Sequence, residues 1–215
     1  MHTIKINTMS QTSSQTSSNS QFKSGYLELF IGPMYSGKTS KILEIYEQCK
    51  FCNISIAVLN HSDDTRYHES MLSTHDQRMI PCIQTKNIMD VWDYKKIDEL
   101  YNEKSAQHLQ LRNAEVILIN EGQFFDDLFV CVESMIKENK RVYIAGLDGD
   151  FERKKFGQIL DLIPLSNMVT KLTSLCSICK DGTPGIFSKR ITNEKQQMLI
   201  GSANYVPVCR NCYDN

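Results

Sequence analysis

The stretch Gly32-Pro33-Met34-Tyr35-Ser36-Gly37-Lys38-Thr39 decides how this chain of 215 residues folds. It fits the pattern G-x-x-x-x-G-K-[ST] at every fixed position. The segment before it, YLELFI (26–31), alternates and then becomes apolar, which predicts a strand. From Ser40 to about Cys52, apolar side chains recur at helical spacing. A glycine-rich turn between a strand and a helix is the context in which this pattern binds phosphate.

The chemistry of phosphate binding explains this spacing. Glycines let the backbone wrap with its N–H groups inward, and the N-terminus of the following helix adds a favourable partial charge. Lys38 would reach the β- and γ-phosphate oxygens, and the Thr39 hydroxyl would bind Mg²⁺. The predicted phosphate-binding set contains Gly32, Pro33, Met34, Tyr35, Ser36, Gly37, Lys38 and Thr39.

Strand and helix patterns alternate beyond this loop. Strands are predicted at 54–60, 116–120 and 141–147, and helices at 89–101 and 125–138. This alternation indicates an α/β fold, here a P-loop NTPase parallel sheet flanked by helices.

Glu121 follows the predicted strand VILIN (116–120) directly. The carboxyl edge of an open α/β sheet is where ligands bind. Glu121 could therefore be a general base that takes a proton from a substrate hydroxyl, or simply a strand-end carboxylate facing water. Because the same sheet carries a phosphate loop, we favour the base.

Two of the three C-x2-C pairs in the sequence lie near the C-terminus. Cys176 and Cys179 form one pair, Cys209 and Cys212 form another, and 29 residues (180–208) separate the pairs. Four thiolates in this arrangement predict one closed structural Zn²⁺ site. The other four cysteines are expected to be buried or semi-exposed free thiols, and the five histidines to be surface residues; these cysteines are Cys49, Cys52, Cys82 and Cys131.

Composition limits the partners and the location. Lys and Arg number 24 against 25 Asp and Glu, so the net charge of −1 creates no global field towards nucleic acid or an anionic membrane. No apolar run reaches the roughly 18–20 residues that span a bilayer, and no signal peptide is apparent at the N-terminus. We expect a cytoplasmic protein without nucleic-acid or membrane partners.

The composition also changes along the chain. Residues 1–24 are rich in Ser, Thr, Gln and Asn and predict a disordered tail. Residues 25–171 hold the α/β pattern, and residues 172–215 are predicted to form a small zinc-binding unit. Such a short unit needs a cross-link such as a bound metal, because it cannot build a strong hydrophobic core of its own.

Eight segments in order carry a family resemblance: GPMYSGKT (32–39), DTRY (64–67), THD (74–76), EGQFF (121–125), LDGDFERKKFG (147–157), KLTSLCSIC (171–179), FSKR (187–190) and YVPVCRNCY (205–213). Together they resemble the zinc-containing thymidine kinases of the cytosolic and poxvirus type. The resemblance implies transfer of the γ-phosphate of ATP to the 5′-hydroxyl of thymidine, with Mg²⁺ and one structural Zn²⁺. It also implies a homotetramer, feedback inhibition by thymidine triphosphate, and a loop of the zinc-binding unit called the lasso.

The same resemblance assigns roles to individual positions. Glu121 falls on the catalytic base, with Lys38 and Arg66 as further catalytic residues. The remaining positions on the ATP and phosphate side are Asp64, Thr65, Asn120 and Gln123. The positions on the thymidine side are Met34, Leu147, Phe151, Ser188, Gln197, Met198, Leu199, Ile200, Gly201 and Tyr205, of which 197–201 read the base through the lasso backbone.

Asn120 departs from the family pattern, which usually has Asp just before the base. The amide can still accept a hydrogen bond from a magnesium-bound water, but it removes one negative charge near the metal. Two other functions stay open on sequence alone. One is a non-catalytic nucleotide sensor, which Asn120 motivates, and the other is a nucleic-acid-binding P-loop ATPase with a zinc ribbon.

Overall fold

The computed structural model describes residues 24–64, 71–73, 79–93, 103–197 and 204–215. The strands are β1 (Tyr26–Ile31), β2 (Ile56–His61), β3 (Met71–Ser73), β4 (Met79–Pro81), β5 (Ile83–Thr85), β6 (Val116–Ile119), β7 (Arg141–Gly146), β8 (Met168–Lys171), β9 (Ser174–Leu175), β10 (Pro184–Gly185), β11 (Phe187–Arg190) and β12 (Tyr205–Val208). The α-helices are α1 (Lys38–Phe51), α2 (Met89–Trp92), α3 (Glu103–Asn113), α4 (Leu128–Lys137) and α5 (Arg210–Asp214). Two 3-10 helices span Gly122–Phe124 and Ile159–Leu165.

Six strands form one parallel sheet in the order β5-β2-β6-β7-β1-β8. Strands in a parallel sheet are buried on both faces, and β6 (VILI) is accordingly buried at all four positions. Because all six strands run the same way, the segments that follow β1, β2, β6 and β7 meet at one carboxyl edge.

Helices cover both faces of this sheet. On one face, α1 contributes Ile42 and Leu43 to a core with Val58 and Leu118. On the other face, Trp92, Leu111, Leu128 and Met135 of α2, α3 and α4 pack against Leu29 and Ile117 within a larger core. The predicted fold class is therefore confirmed: helices flank a parallel α/β sheet.

The C-terminal residues build a small antiparallel unit beside the sheet. Strand β9 pairs with β10, and β11 pairs with β12. The two pairs are joined by backbone hydrogen bonds, from Ser177 N to the Pro207 oxygen at 2.9 Å and from Ile186 N to the Val208 oxygen at 2.9 Å. The domain boundary after residue 171 stays a prediction; it falls between β8 and β9.

The sequence patterns predicted four of the six strands of the parallel sheet and the helices α1, α2 and α4, but not β3, β4, β5 or β8, the strands β9 to β12, or α5. Strand β1 has the predicted bounds, and the predicted strands at 54–60, 116–120 and 141–147 correspond to β2, β6 and β7. The predicted helix at 89–101 is α2 for Met89–Trp92, while residues 94–102 lie outside the described part of the chain. Helix α3 was missed, because its sequence EKSAQHLQLRN is largely polar. Among the described residues, no helix is both long and apolar enough to cross a membrane.

Candidate active site

The phosphate loop follows β1 at the carboxyl edge of the sheet. Gly37 caps α1 with a φ of 84°, in the left-handed region that favours glycine. A Cβ at Gly32 would lie 2.3 Å from the Leu172 backbone oxygen, so a larger residue does not fit between β1 and the end of β8. The shape of the loop therefore requires glycine at both positions, at Gly37 for its left-handed backbone and at Gly32 for lack of space.

Lys38 lies at the first position of α1 and is 9% exposed. Its ammonium donates to the Pro33 backbone oxygen at 2.6 Å and lies 3.4 Å from Ser36 Oγ. A buried cation needs compensating negative charge or acceptors, and here loop atoms hold the ammonium inside the loop. The arrangement is suited to binding an anion in this loop.

A chain of buried polar side chains links α1 to β6 and β2. The Thr39 hydroxyl donates to Asn120 Oδ1 at 3.3 Å, and Asn120 Nδ2 donates to Asn60 Oδ1 at 2.9 Å. Asn60 Nδ2 in turn donates to Asp64 Oδ2 at 3.4 Å. Asn60 and Asn120 are each 2% exposed and Asp64 is 5% exposed. Asn120 is therefore paired with a second neutral amide, and that amide in turn contacts the carboxylate of Asp64.

Glu121 lies two residues beyond the end of β6 and has a φ of 52°. Few residues other than glycine adopt this left-handed conformation, which is concentrated at functional sites. Gln123 Nε2 donates to Glu121 Oε2 at 2.7 Å, and Gln123 Oε1 accepts the Leu147 backbone N–H at 2.9 Å. The buried Gln123 amide thus ties the carboxylate after β6 to the end of β7.

His61, at the end of β2, is only 2% exposed, so its expected surface position is wrong. Its ring centroid lies 5.7 Å from that of Phe124 and 5.0 Å from that of Phe125. The Asp63 backbone N–H donates to His61 Nδ1 at 3.2 Å. Burial lowers the pKa of the imidazole, which favours its neutral form. His61 became a core residue because the chain after β6 folds over the end of β2.

The four C-terminal cysteines meet at one point, as the spacing predicted. Their Sγ atoms all lie within 4.8 Å of one another, and Cys179 Sγ is 3.7 Å from Cys209 Sγ and 3.4 Å from Cys212 Sγ. A disulfide has an S–S length of about 2.05 Å, whereas a tetrahedral zinc site with Zn–S bonds of about 2.3 Å places its sulfurs about 3.8 Å apart. The separations therefore fit a tetrahedral metal site.

The chemistry of the donors also suits a metal, because four thiols without a histidine or carboxylate are the ligand set of a closed structural Zn²⁺ site. The Cys179 backbone N–H donates to Cys176 Sγ at 3.5 Å. This contact, with further N–H donors, lowers the pKa of the Cys176 thiol to about 6, whereas hydrogen bonds with the other thiols raise the pKa of Cys179.

The other cysteines behave largely as expected. None of the four forms a disulfide; Cys49 and Cys131 are buried, and Cys82 is half-buried. Cys52 is exposed at the end of α1, so the expectation of a buried or semi-exposed thiol is wrong at this position.

The C-terminal unit contacts the phosphate loop directly. Ser188 Oγ on β11 accepts the Met34 backbone N–H at 2.9 Å. Ser188 is 5% exposed and Tyr205 on β12 is 9% exposed. The structure thus brings two predicted thymidine-side residues, Met34 and Ser188, together across the two parts of the chain.

Some predicted residues lie outside the described part of the chain. They are Thr65, Arg66, Met198, Leu199, Ile200 and Gly201. Residues that sequence reasoning missed also line the described site. Asn60 is a polar residue at the end of a buried strand, a pattern that could have indicated it, and Arg190 contacts both Phe151 and Tyr205.

The parallel sheet, the glycine-rich loop after β1 and the acidic residue after β6 define the class of P-loop α/β proteins. The thymidine kinase family model matches residues 25–213. This chain belongs to the thymidine kinase family.

Individual relatives agree with this membership. The thymidine kinase of sheeppox virus (strain KS-1) is 40% identical over 191 residues, which cover 88% of this chain and 97% of that protein. The thymidine kinase of Oryza sativa subsp. japonica is 37% identical over 192 residues, 88% of this chain and 66% of that protein. Thymidine kinase 1 of Dictyostelium discoideum is 34% identical over 196 residues, 89% of this chain and 78% of that protein.

Proposed function

We propose that this protein is a thymidine kinase that transfers the γ-phosphate of ATP to the 5′-hydroxyl of thymidine. Membership of the thymidine kinase family supports the reaction. One contact carries the assignment of the site: the Thr39 hydroxyl lies 3.3 Å from Asn120 Oδ1, so the end of the phosphate loop touches the residue that precedes Glu121. A carboxylate beside a phosphate loop is suited to activating an acceptor hydroxyl.

In this mechanism Glu121 accepts the proton of the 5′-hydroxyl. The 5′-oxygen then forms a bond to the γ-phosphorus while the bond between that phosphorus and the β,γ-bridging oxygen breaks, which releases ADP. Lys38 neutralises negative charge on the β- and γ-phosphate oxygens. Arg66 is proposed to stabilise the negative charge that develops during transfer. Mg²⁺ bound near the Thr39 hydroxyl would supply further charge neutralisation, with Asn120 as an uncharged neighbour.

On the acceptor side, the thymine ring is assigned to the C-terminal unit and the loop that contacts it. Phe151, Met34 and Leu147 form the packing surface, and Tyr205 and Ser188 lie towards the sugar and base. The contact between Met34 and Ser188 supports this grouping, because it joins both halves of the site. Zinc held by the four cysteines would fix the root of the lasso, for which residues 197–201 are proposed.

A product assay tests the proposal. The protein is incubated with ATP, Mg²⁺ and thymidine, and thymidine monophosphate is measured, with deoxycytidine, deoxyuridine and single-stranded DNA as comparisons. Thymidine monophosphate as the main product supports the kinase. If DNA stimulates ATP hydrolysis and no monophosphate forms, the protein is instead a nucleic-acid-dependent ATPase. If nucleotide binds without turnover, the protein is instead a nucleotide sensor.

We further propose a homotetramer that thymidine triphosphate inhibits by occupying the thymidine and phosphate sites together. Sedimentation analysis measures the assembly, and a trimer or monomer would contradict it. Inhibition by thymidine triphosphate should be competitive with respect to thymidine. A cytoplasmic location remains an expectation from the sequence.

Gln123 is expected to orient the base, in addition to its predicted place on the phosphate side. Replacing it by methionine keeps the length of the side chain but removes the donor to Glu121 and the acceptor for Leu147. A hydrogen bond to a charged group contributes about 1.5–3 kcal/mol, so we expect kcat to fall about 10-fold for Gln123→Met. Steady-state kinetics would measure this fall, with both KM values nearly unchanged.

The control is Gln158→Met. Gln158 also bridges two backbone groups, donating to the Asp126 oxygen and accepting the Phe129 N–H at 2.9 Å, and neither of these hydrogen bonds involves Glu121. Equal effects of the two variants on kcat would show that loss of a bridging amide, rather than orientation of Glu121, explains the result.

A further inference from the structure

Arg190, the last residue of β11, contacts the chain that leads into residues 198–203. Its Nη1 donates to the backbone oxygens of Glu194 at 2.8 Å and Gln196 at 2.6 Å. Its Nη2 donates to the Gln197 backbone oxygen at 3.1 Å. One guanidinium therefore gathers three carbonyl groups of the same segment. A planar group with several fixed donors can do this, whereas an ammonium is a point charge on a flexible stem.

The same guanidinium also contacts two aromatic residues. It lies 3.7 Å from the ring centroid of Phe151, and its Nη2 donates to the Tyr205 hydroxyl at 2.5 Å. Stacking on Phe151 is favourable because the cation faces the negative π-surface of the ring. Arg190 thus connects the turn after β7, the first residue of β12 and the segment 194–197.

Asp150 provides a second connection between the same turn and segment. Its Oδ1 accepts the backbone N–H groups of Glu152 and Lys154, both at 2.9 Å, which shapes the turn that carries Phe151. Its Oδ2 accepts a hydrogen bond from Gln197 Nε2 at 2.6 Å. Asp150 is 6% exposed, so this carboxylate is largely shielded from water. The position of Gln197 is consequently fixed from both sides.

We propose that Arg190 is a positioning residue for the nucleoside: it holds Phe151, Tyr205 and the segment 194–197 in one arrangement that accepts the pyrimidine. The inference rests on the proposed function, since Phe151 and Tyr205 are assigned to thymidine there. Arg190 acts through these residues, and the transferred phosphate is handled by the loop after β1. Loss of Arg190 should therefore weaken thymidine binding far more than ATP binding.

The test compares Arg190→Gln and Arg190→Lys in the full-length, zinc-loaded protein. We expect Arg190→Gln to raise the thymidine KM at least about 10-fold while kcat at saturating thymidine stays within about 3-fold. Arg190→Lys should fail to restore the KM, because lysine keeps the charge but lacks the planar donor set. Zinc content and the KM for ATP should match those of the unaltered protein in both variants.

Arg112→Gln is the matched control. Arg112 also lies over an aromatic ring, with its guanidinium carbon 4.6 Å from the Trp92 centroid, and it pairs with Glu138 at the end of α4. The thymidine KM of the Arg112→Gln variant should equal that of the unaltered protein. Calorimetric titration of thymidine in the absence of ATP gives a second readout that does not depend on turnover.

The outcomes separate this inference from the proposed function. If the unaltered protein makes no thymidine monophosphate, the proposed function fails first. If it does, a thymidine KM that Arg190→Gln leaves unchanged overturns the positioning role. Parallel increases in both KM values, or a loss of zinc, would show that Arg190 only stabilises the fold and would equally overturn it. Should Arg190→Gln not fold, a normal thymidine KM in Arg190→Lys still contradicts the role of the planar group.

Discussion

Glu121→Gln is expected to lower kcat at least about 100-fold, because a positioned general base contributes about 10²–10⁴-fold to a proton-transfer step. Glutamine has the same shape and can still lie beside Gln123, but its neutral amide does not take up the proton of the 5′-hydroxyl. The φ of 52° at this position applies equally to both residues, so backbone strain changes little. Steady-state formation of thymidine monophosphate measures kcat, and calorimetry measures thymidine binding, which should remain.

Glu133→Gln supplies the control for this substitution. Glu133 lies on α4 and pairs with Lys137 at 3.0 Å, with its side chain 39% exposed. The same loss of charge there should leave kcat unchanged. Near-normal turnover of Glu121→Gln would remove Glu121 as the base. A fall in kcat accompanied by an equal loss of thymidine binding and a lower Tm would assign Glu121 a structural role instead.

The elements that sequence patterns predicted well are those determined by nearby residues. Strand β1 and the loop after it follow from an apolar run and fixed glycine positions within 14 consecutive residues (26–39). The cysteine cluster follows from two short spacings, because two C-x2-C pairs together supply the four ligands of one tetrahedral metal ion. Placing Glu121 at the carboxyl edge needed only the end of one buried strand.

The features that sequence patterns missed depend on contacts between distant parts of the chain. His61 is buried because residues 124 and 125 pack against it from beyond β6. Arg190 meets Phe151 across 39 positions, a contact that no local periodicity encodes. Asn120 alone suggested a weakened metal site, and the structure adds that it is hydrogen-bonded to a second neutral amide, Asn60, a contact between residues 60 positions apart.

One hydrogen bond joins the sheet and the cysteine-bearing unit at the proposed site. Ser188 Oγ accepts the Met34 N–H, so a displacement of β11 would alter the contact with Met34, which is assigned to the thymidine side. Strand β11 is paired with β12, and β12 ends at Val208, next to Cys209. The position of Ser188 relative to Met34 therefore depends on the anchor formed by the four cysteines.

Removing the metal should consequently weaken thymidine binding more than ATP binding. Cys212→Ser takes away one of four ligands, and we expect zinc content to fall and the thymidine KM to rise at least about 10-fold, equivalent to about 1.4 kcal/mol of binding. The affinity for an ATP analogue should change less than about 3-fold, because the phosphate loop is built by β1 and α1. Zinc is measured with a colorimetric chelator after unfolding, and the kinetics are measured on the folded protein.

Cys52→Ser is the control, since it makes the same chemical change at an exposed cysteine outside the cluster. It should retain zinc and normal kinetics. Treatment with a strong chelator should reproduce the effect of Cys212→Ser in the unaltered protein, and restoring zinc should reverse it. A zinc-free protein with an unchanged thymidine KM would break the link between the cysteine cluster and the nucleoside site. Loss of ATP-analogue binding in parallel with thymidine binding would contradict the separation of the two sites, because the four cysteines follow β9 and β12 whereas the phosphate loop lies between β1 and α1.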